Sequence, residues 1–327
     1  MNDKPYIKVE NLKKYFTTKR GLLHAVDDVS FEIRRGETLG LVGESGCGKS
    51  TLGRCLIRLL DSTSGHVLLL NEDGENYTDV TRVSAREMKE LRKRVQIVFQ
   101  DPYSCLNPRL SVWELIAEPL IVNGVYSDKA AMRSRVRELM DTVGLAERLE
   151  NSYPHELDGG RRQRIGIARS LALNPEFVVL DEPVSALDVC IQAQVLNLLN
   201  DLQKEFNYTY VFISHNLSVV RHVSDRIAVM YLGQIVELSE YKELFANPLH
   251  PYTQALLSAI PLAKLDVKRE RIILEGDVPS PIEPPDACRF AGRCRYAREE
   301  CRHGTPPLTE QGPGHFVACH FAGKLEG

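Results

Sequence analysis

Residues 37–51 read ETLGLVGESGCGKST, and this stretch decides the fold. Its first part is a compact apolar run of strand length that ends at Val42. Its second part, Gly43-Glu44-Ser45-Gly46-Cys47-Gly48-Lys49-Ser50-Thr51, fits G-x-x-x-x-G-K-S/T in full. A helix carrying Leu52, Leu56 and Leu59 on one face is expected to follow. Strand, glycine-rich loop and helix start, in that order, make a phosphate cradle. The glycines let backbone N–H groups turn inward around a β-phosphate, and the helix N-terminus adds positive potential. Lys49 is expected to reach the β- and γ-phosphates and Ser50 to offer its hydroxyl to Mg2+. The alternative, a glycine-rich turn of no consequence, requires neither the strand before nor the helix after. Cys47 lies near that helix start, where a thiol pKa can fall. Its other reading is a filler position in the loop.

Upstream of the loop, IKVENL (7–12) and VDDVSFEI (26–33) alternate apolar and polar residues as strands do, with Arg35-Gly36 as a turn. Downstream, residues 85–150 are charged and helix-like, in SAREMKELRKR and SDKAAMRSRVRELMDTVGL. FVVL (177–180) reads as a buried strand, IQAQVLNLLNDLQKEF as a helix and YVFIS as another buried strand. RIAVMYLGQIVEL reads as a hairpin turning at Gly233-Gln234. Buried strands alternating with helices predict an α/β core with a largely parallel sheet. From about residue 246 the character changes to proline-rich (Pro248, Pro251, Pro261, Pro279, Pro281, Pro284, Pro285), which predicts a separate small module over 246–327. No internal repeat is visible.

With 327 residues, 43% apolar and 26% charged, the chain has room for one large domain and an appendage. A net charge of −3 gives no sign of a nucleic-acid partner. No apolar run approaches the roughly 20 residues that cross a bilayer. The opening MNDKPYIKVE lacks the apolar core of a secretory signal, so the expected location is the cytoplasm.

At Phe177-Val178-Val179-Leu180-Asp181-Glu182, four apolar residues run into two carboxylates. A carboxylate at the C-terminal end of a parallel strand points into the ligand crevice. Asp181 is expected to hold Mg2+ and Glu182 to polarise an attacking water as general base. Many strands end in acids; paired with the phosphate loop, these two indicate a nucleotide hydrolase.

The residues between narrow the choice. Leu157-Asp158-Gly159-Gly160-Arg161, continuing to Arg169, resembles the signature segment of ABC ATPases. Gln100 in VFQDPYSCLNP resembles the glutamine loop of that family, Ser185 to Asp188 its D-loop, and His215 its switch histidine, all in the family's order. The resemblance covers essentially the whole chain. It implies a P-loop NTPase core with an antiparallel β subdomain and an α-helical signature subdomain near 85–165, together filling residues 1–245. It implies ATP and Mg2+ as ligands, with Gln100 near the metal and the attacking water, His215 near the γ-phosphate, and Phe16 or its neighbour Tyr15 stacking on adenine. It further implies a head-to-tail dimer in which each ATP lies between the phosphate loop of one ATPase and the signature of the other. Soluble relatives in DNA repair or translation carry long coiled-coil insertions or tandem ATPase domains, and this chain has neither.

The signature departs from the family pattern. Asp158 stands where a serine usually donates to the γ-phosphate, and Arg161 where a glutamine is usual. A carboxylate beside a polyphosphate is repulsive, with Arg161 able to offset part of it. The resemblance therefore implies an impaired site on the partner's phosphate loop, an intact one on Lys49, Asp181 and Glu182, and hence a heterodimer. A regulatory ATPase that turns over slowly is the competing reading.

HPYTQALLSAIP (250–261), GDVPSPIEPPDACRFAGRCRYAREEC and GHFVACHF resemble the C-terminal region of oligopeptide and dipeptide importer ATPases, and DEPVSALDV and YVFISHNLSVV resemble their F-type subunit. This implies a related D-type ATPase, two integral permeases and an extracytoplasmic solute-binding protein as partners. It implies a peripheral position on the cytoplasmic face of the inner membrane. Relatives with this tail carry peptides, nickel chelates or sugars. Cys288, Cys294, Cys301 and Cys319 suit four-thiolate ligation of a 4Fe–4S cluster or of Zn2+. The resemblance implies the iron–sulfur cluster, with zinc or four free thiols as the alternatives. Disulfides do not fit a reducing cytoplasm.

Overall fold

The computed structural model describes residues 4–260 and 271–324. Residues 1–3 of the opening segment and Pro261 lie outside the described residues. The chain divides into two compact units, residues 1–82 with 212–327, and residues 83–211.

In the first unit, β1 (Ile7–Thr18) and β2 (Gly21–Ile33) pair antiparallel. Ile7, Val9 and Leu12 on one strand and Val29, Phe31 and Ile33 on the other are buried, as the alternation requires. Both strands outrun the apolar runs that predict them, because the polar residues near the turn need only ladder partners, not burial. The turn at Arg35-Gly36 leads to β3 (Thr38–Val42), buried at all five positions. The phosphate loop follows, and then α1 (Lys49–Leu56). The helix ends there: Arg58 adopts a φ of 51°, and Leu59, expected on the helical face, lies beyond it and is 45% exposed. β4 (Ser64–Leu70) pairs with β1 and β5 (Tyr77–Asp79) with β4, giving a four-stranded sheet ordered β2-β1-β4-β5.

The second unit opens with α2 (Ala85–Arg94), whose capping box joins Ser84 and Glu87. β6 (Val95–Val98) follows, then α3 (Val112–Val122) with a second box, Ser111 and Glu114, and α4 (Lys129–Thr142) capped by Asp128. Glu150 is buried and takes Arg133 at 2.7 Å and Arg137 at 3.0 Å. A carboxylate can stay there only because it is paired this fully. α5 (Gly159–Leu171) precedes β7 (Phe177–Asp181), which pairs parallel with β6. α6 (Val189–Phe206) completes the unit.

β8 (Thr209–Ser214), six buried residues, carries the chain from the second unit to the first. There α7 (Leu217–Val223) precedes β9 (Arg226–Tyr231), which runs parallel to β3. β10 (Gln234–Glu240) pairs antiparallel with β9. The hairpin turns at Leu232-Gly233, not at Gly233-Gln234. Both turn residues have positive φ (43° and 85°), the tight two-residue turn that suits strand twist, so Gln234 is already in the ladder opposite Tyr231. α8 (Tyr241–Ala246) and α9 (Pro251–Ser258) follow. His250 caps α9 through Nδ1, which accepts the Tyr252 N–H at 3.1 Å, and Pro251 occupies the first helical position. The last hairpin, β11 (Thr309–Gly312) and β12 (His315–Val317), adds to the edge of β10. Glu237 of β10 is fully buried and accepts from the N–H groups of Leu249 (2.8 Å) and His250 (3.1 Å), with His315 Nε2 at 2.7 Å. One carboxylate thus holds the start of α9 and the last hairpin against the same strand.

Parallel pairs β3/β9 and β6/β7 with intervening helices give the α/β architecture expected. No helix among the described residues is long and apolar enough to cross a membrane.

Candidate functional site

Gly43 to Gly48 form the loop, and Lys49 to Thr51 open α1 directly after it. Gly48 is the helix N-cap with a φ of 107°, and a Cβ there would meet the Ala25 carbonyl oxygen at 2.0 Å. Only glycine allows that approach. Lys49 is buried. Its Nζ donates to the carbonyls of Gly43 at 2.8 Å and Glu44 at 2.9 Å. Ser50 and Thr51 stand half-buried in the first helical turn, while Ser45 and Gly46 are exposed on the loop. Burial pushes the Cys47 thiol up, against the pull of Lys49, so the activated-thiol reading of Cys47 is not met.

In the second unit Asp181 is buried at the end of β7. Glu182, the next residue, adopts a φ of 49°, a left-handed conformation that costs a non-glycine residue energy and that turns the chain sharply after the strand. Gln100, two residues beyond β6, donates through Nε2 to Glu182 Oε2 at 3.0 Å. The parallel pairing of β6 with β7 brings these two side chains together. Ser185 Oγ donates to the Glu182 carbonyl at 3.1 Å, and Asp188 caps the backbone of α6 without a side-chain bond. His215 lies exposed just past β8, in the first unit.

Asp158 is the N-cap of α5. Its Oδ1 accepts the Arg161 N–H at 2.8 Å, and its Oδ2 lies 3.5 Å from Arg161 Nε. Gly159 and Gly160 form the first turn, where a Cβ on Gly160 would meet Ile191 at 2.5 Å. The carboxylate therefore already occupies the positive end of its own helix.

Tyr15 and Phe16 differ in setting. Tyr15 stacks on His24 with ring centroids 3.9 Å apart, and its hydroxyl donates to Asp27. Burial and the Asp27 carboxylate raise the Tyr15 pKa, which keeps that proton in place. Phe16 is 36% exposed, with Lys14 Nζ 4.8 Å from the ring centre.

Sequence reasoning missed three residues that reach this region. Tyr252 Oη accepts the Glu44 N–H at 2.9 Å. Arg293 Nη1 donates to the Glu44 carboxylate at 2.9 and 3.2 Å. Arg289 donates to Asp27 and to the Leu232 carbonyl. The stretch from His250 was visible only as part of a family resemblance, and nothing local names a partner 208 residues away.

The four clustered cysteines do converge. Cys288, Cys294, Cys301 and Cys319 line one cavity of about 10 Å3 with His250, Phe290 and neighbours. That is room for about one water molecule, not for a four-iron cube. Among the described residues no group of three or more His, Cys, Asp or Glu side chains is arranged to hold a metal ion. The donor chemistry is right, but the packing does not fit the expected cluster or zinc site. Burial pushes the Cys288 thiol up to about 11 and raises those of Cys294 and Cys319.

Comparison with known proteins gives the context for this geometry. The ABC transporter family model matches residues 26–185, and the model for the C-terminal region of oligopeptide/dipeptide transporters matches residues 236–301. The oligopeptide transport ATP-binding protein AppF of Bacillus subtilis is 51% identical over 329 residues, covering 98% of each chain. The oligopeptide transport ATP-binding protein OppF of Haemophilus influenzae is 49% identical over 314 residues, covering 95% of this chain and 93% of its own. A dimeric ATP-binding cassette, MJ0796, solved in a post-hydrolysis state with ADP and Pi, superposes with a TM-score of 0.64 at 29% identity. It covers 72% of this chain and 98% of its own.

Proposed function

The chain belongs to the ATP-binding subunits of oligopeptide-type ABC transporters, and on that premise we propose that it hydrolyses ATP to drive import of di- or oligopeptides. The observation that carries this is the buried Lys49, whose ammonium is held against the loop carbonyls of Gly43 and Glu44. A cation kept out of water inside a glycine loop is poised to exchange those carbonyls for phosphate oxygens. Ser50, Gln100 and Asp181 offer the oxygen ligands that suit Mg2+, which when bound neutralises charge on the phosphates. Glu182, held by Gln100, orients and deprotonates the attacking water, and His215 contacts the γ-phosphate.

In this reading residues 1–245 are the motor, with a helical subdomain near 85–165, and residues 246–327 are an importer-type appendage. The partners are a related D-type ATPase, two integral permeases and, beyond the membrane, a solute-binding protein. The chain itself sits peripherally on the cytoplasmic face. Asp158 and Arg161 make the signature it lends its partner the weaker one, while its own phosphate loop keeps every expected group. The cysteine pocket contributes as packing. Iron and zinc analysis with an anaerobic visible spectrum tests that point, and a coloured, iron-loaded chain would overturn it.

The functional test is co-purification with two permeases, followed by ATPase assay in vesicles with the cognate binding protein. Turnover stimulated by peptide-loaded binding protein is expected. A chain that hydrolyses ATP at full rate alone, without a partner ATPase, would refute the heterodimer with a weakened signature; turnover in the complex that peptide-loaded binding protein leaves unchanged would refute peptide-coupled transport.

A further inference from the structure

Glu44 brings a carboxylate into the loop that must accept a polyphosphate. Left unpaired it would repel that ligand. Arg293, 249 residues away in sequence, donates to both oxygens of this carboxylate, and its side chain is only 9% exposed. Its Nη1 also lies 3.5 Å from Tyr231 Oη. Tyr252 fixes the backbone of the same residue by accepting its N–H. Tyr231, Tyr252 and Phe290 pack against one another with ring centroids 4.7–5.5 Å apart, so the two groups that grip Glu44 share one aromatic support. Arg289 binds the Leu232 carbonyl in the adjacent hairpin turn, whose Gly233 N–H donates to the Cys47 carbonyl at 2.8 Å. The segment after residue 246 therefore touches the loop at Glu44 directly and at Cys47 through the turn. Arg289 and Arg293 stand between Cys288 and Cys294, both walls of the cysteine pocket, so that packing sets where the two guanidiniums lie.

We infer that Arg293 is a positioning residue for the nucleotide, neutralising Glu44 and, with Tyr252, holding the phosphate loop in its ligand-accepting shape. This rests on the ATP reading above. Its ligand dependence follows from the geometry: the cost of losing Arg293 falls on nucleotides whose phosphates reach the loop.

The test is isothermal titration of the full chain with ATP, ADP and AMP. Arg293→Ala is expected to weaken ATP and ADP by about 10-fold, roughly 1.4 kcal/mol, and AMP by less. Adding Glu44→Gln to Arg293→Ala removes the unpaired carboxylate and is expected to recover most of the lost affinity. Arg293→Lys keeps the charge and guards against a folding failure; it is expected to bind within a few-fold of wild type. Unchanged ATP affinity in Arg293→Ala, or no recovery in the double variant, overturns the inference and leaves the ATP reading standing. A wild-type chain that binds no ATP overturns that reading, and the inference with it.

Discussion

The altered signature offers the sharpest test of how this chain works with a partner. Asp158 caps α5, and its carboxylate lies where a γ-phosphate docked on that helix end would have to come. Two unit charges 4 Å apart repel by about 1 kcal/mol in water and about 4 kcal/mol at an effective dielectric constant of 20. Asp158 is 58% exposed and its neighbour Arg161 47%, at 3.5 Å, so screening places the true penalty near the lower bound. We expect about 1–2 kcal/mol, which is about 5- to 30-fold in rate. Asp158→Ser and Asp158→Asn both keep a good N-cap, so α5 is not weakened by the exchange. On the proposed pairing with a second ATPase, the assay uses that complex and carries Glu182→Gln in this chain, so that its own phosphate-loop site is silent. Residual turnover then reports the composite site on the partner's loop. Both exchanges should raise it by that factor, and the gain should shrink at high salt, where exposed charges are screened. No gain in either variant would refute the electrostatic account of the signature.

Three other expectations follow from single residues. Glu182→Gln should leave ATP binding intact, since the amide can still accept from Gln100, and should cut hydrolysis by about 100- to 10,000-fold in a single-turnover assay. Gly48→Ala forces a left-handed φ on alanine and a 2.0 Å clash with the Ala25 carbonyl, so ATP affinity should be lost by titration and stability should fall by at least about 1–3 kcal/mol by urea unfolding. Burial lowers the His250 pKa to about 4. The unfolded chain therefore binds more protons than the folded one between about pH 6.5 and 4, and stability falls as pH falls through that window. From pH 7 to 5 the loss should be about 2 kcal/mol. His250→Asn keeps the cap and should flatten that part of the pH profile in urea unfolding; an unchanged slope would show that His250 does not set it.

Several features of the site were legible because their causes are local. The phosphate loop needs glycines at fixed offsets, and the acidic pair needs only the end of a buried strand. Each is settled within about ten residues by backbone geometry and hydrogen bonds, so a short window of sequence contains the whole reason. Small errors came from the same windows. Leu59 kept helical spacing after Arg58 had already broken the helix, and the hairpin turned one residue early because a two-residue turn needs positive φ at Leu232 as well as Gly233.

What the sequence could not contain is which distant side chains meet. Glu44 with Arg293, Glu44 with Tyr252 and Asp27 with Arg289 are separated by 249, 208 and 262 residues, and no spacing rule reaches so far. The sheet decides them: β10 leads into α9 and receives β12, and this brings the segment after residue 246 back to the loop after β3. The cysteines show the same division. Their number and identity suggested a metal, while the packed cavity, about 10 Å3, is a property of the folded chain alone. By itself the sequence determined the chemistry of the nucleotide loop, because that chemistry is written in consecutive residues. Only the tertiary structure decided what braces the loop, because an ion pair between residues 249 apart in sequence exists only where the fold brings them together.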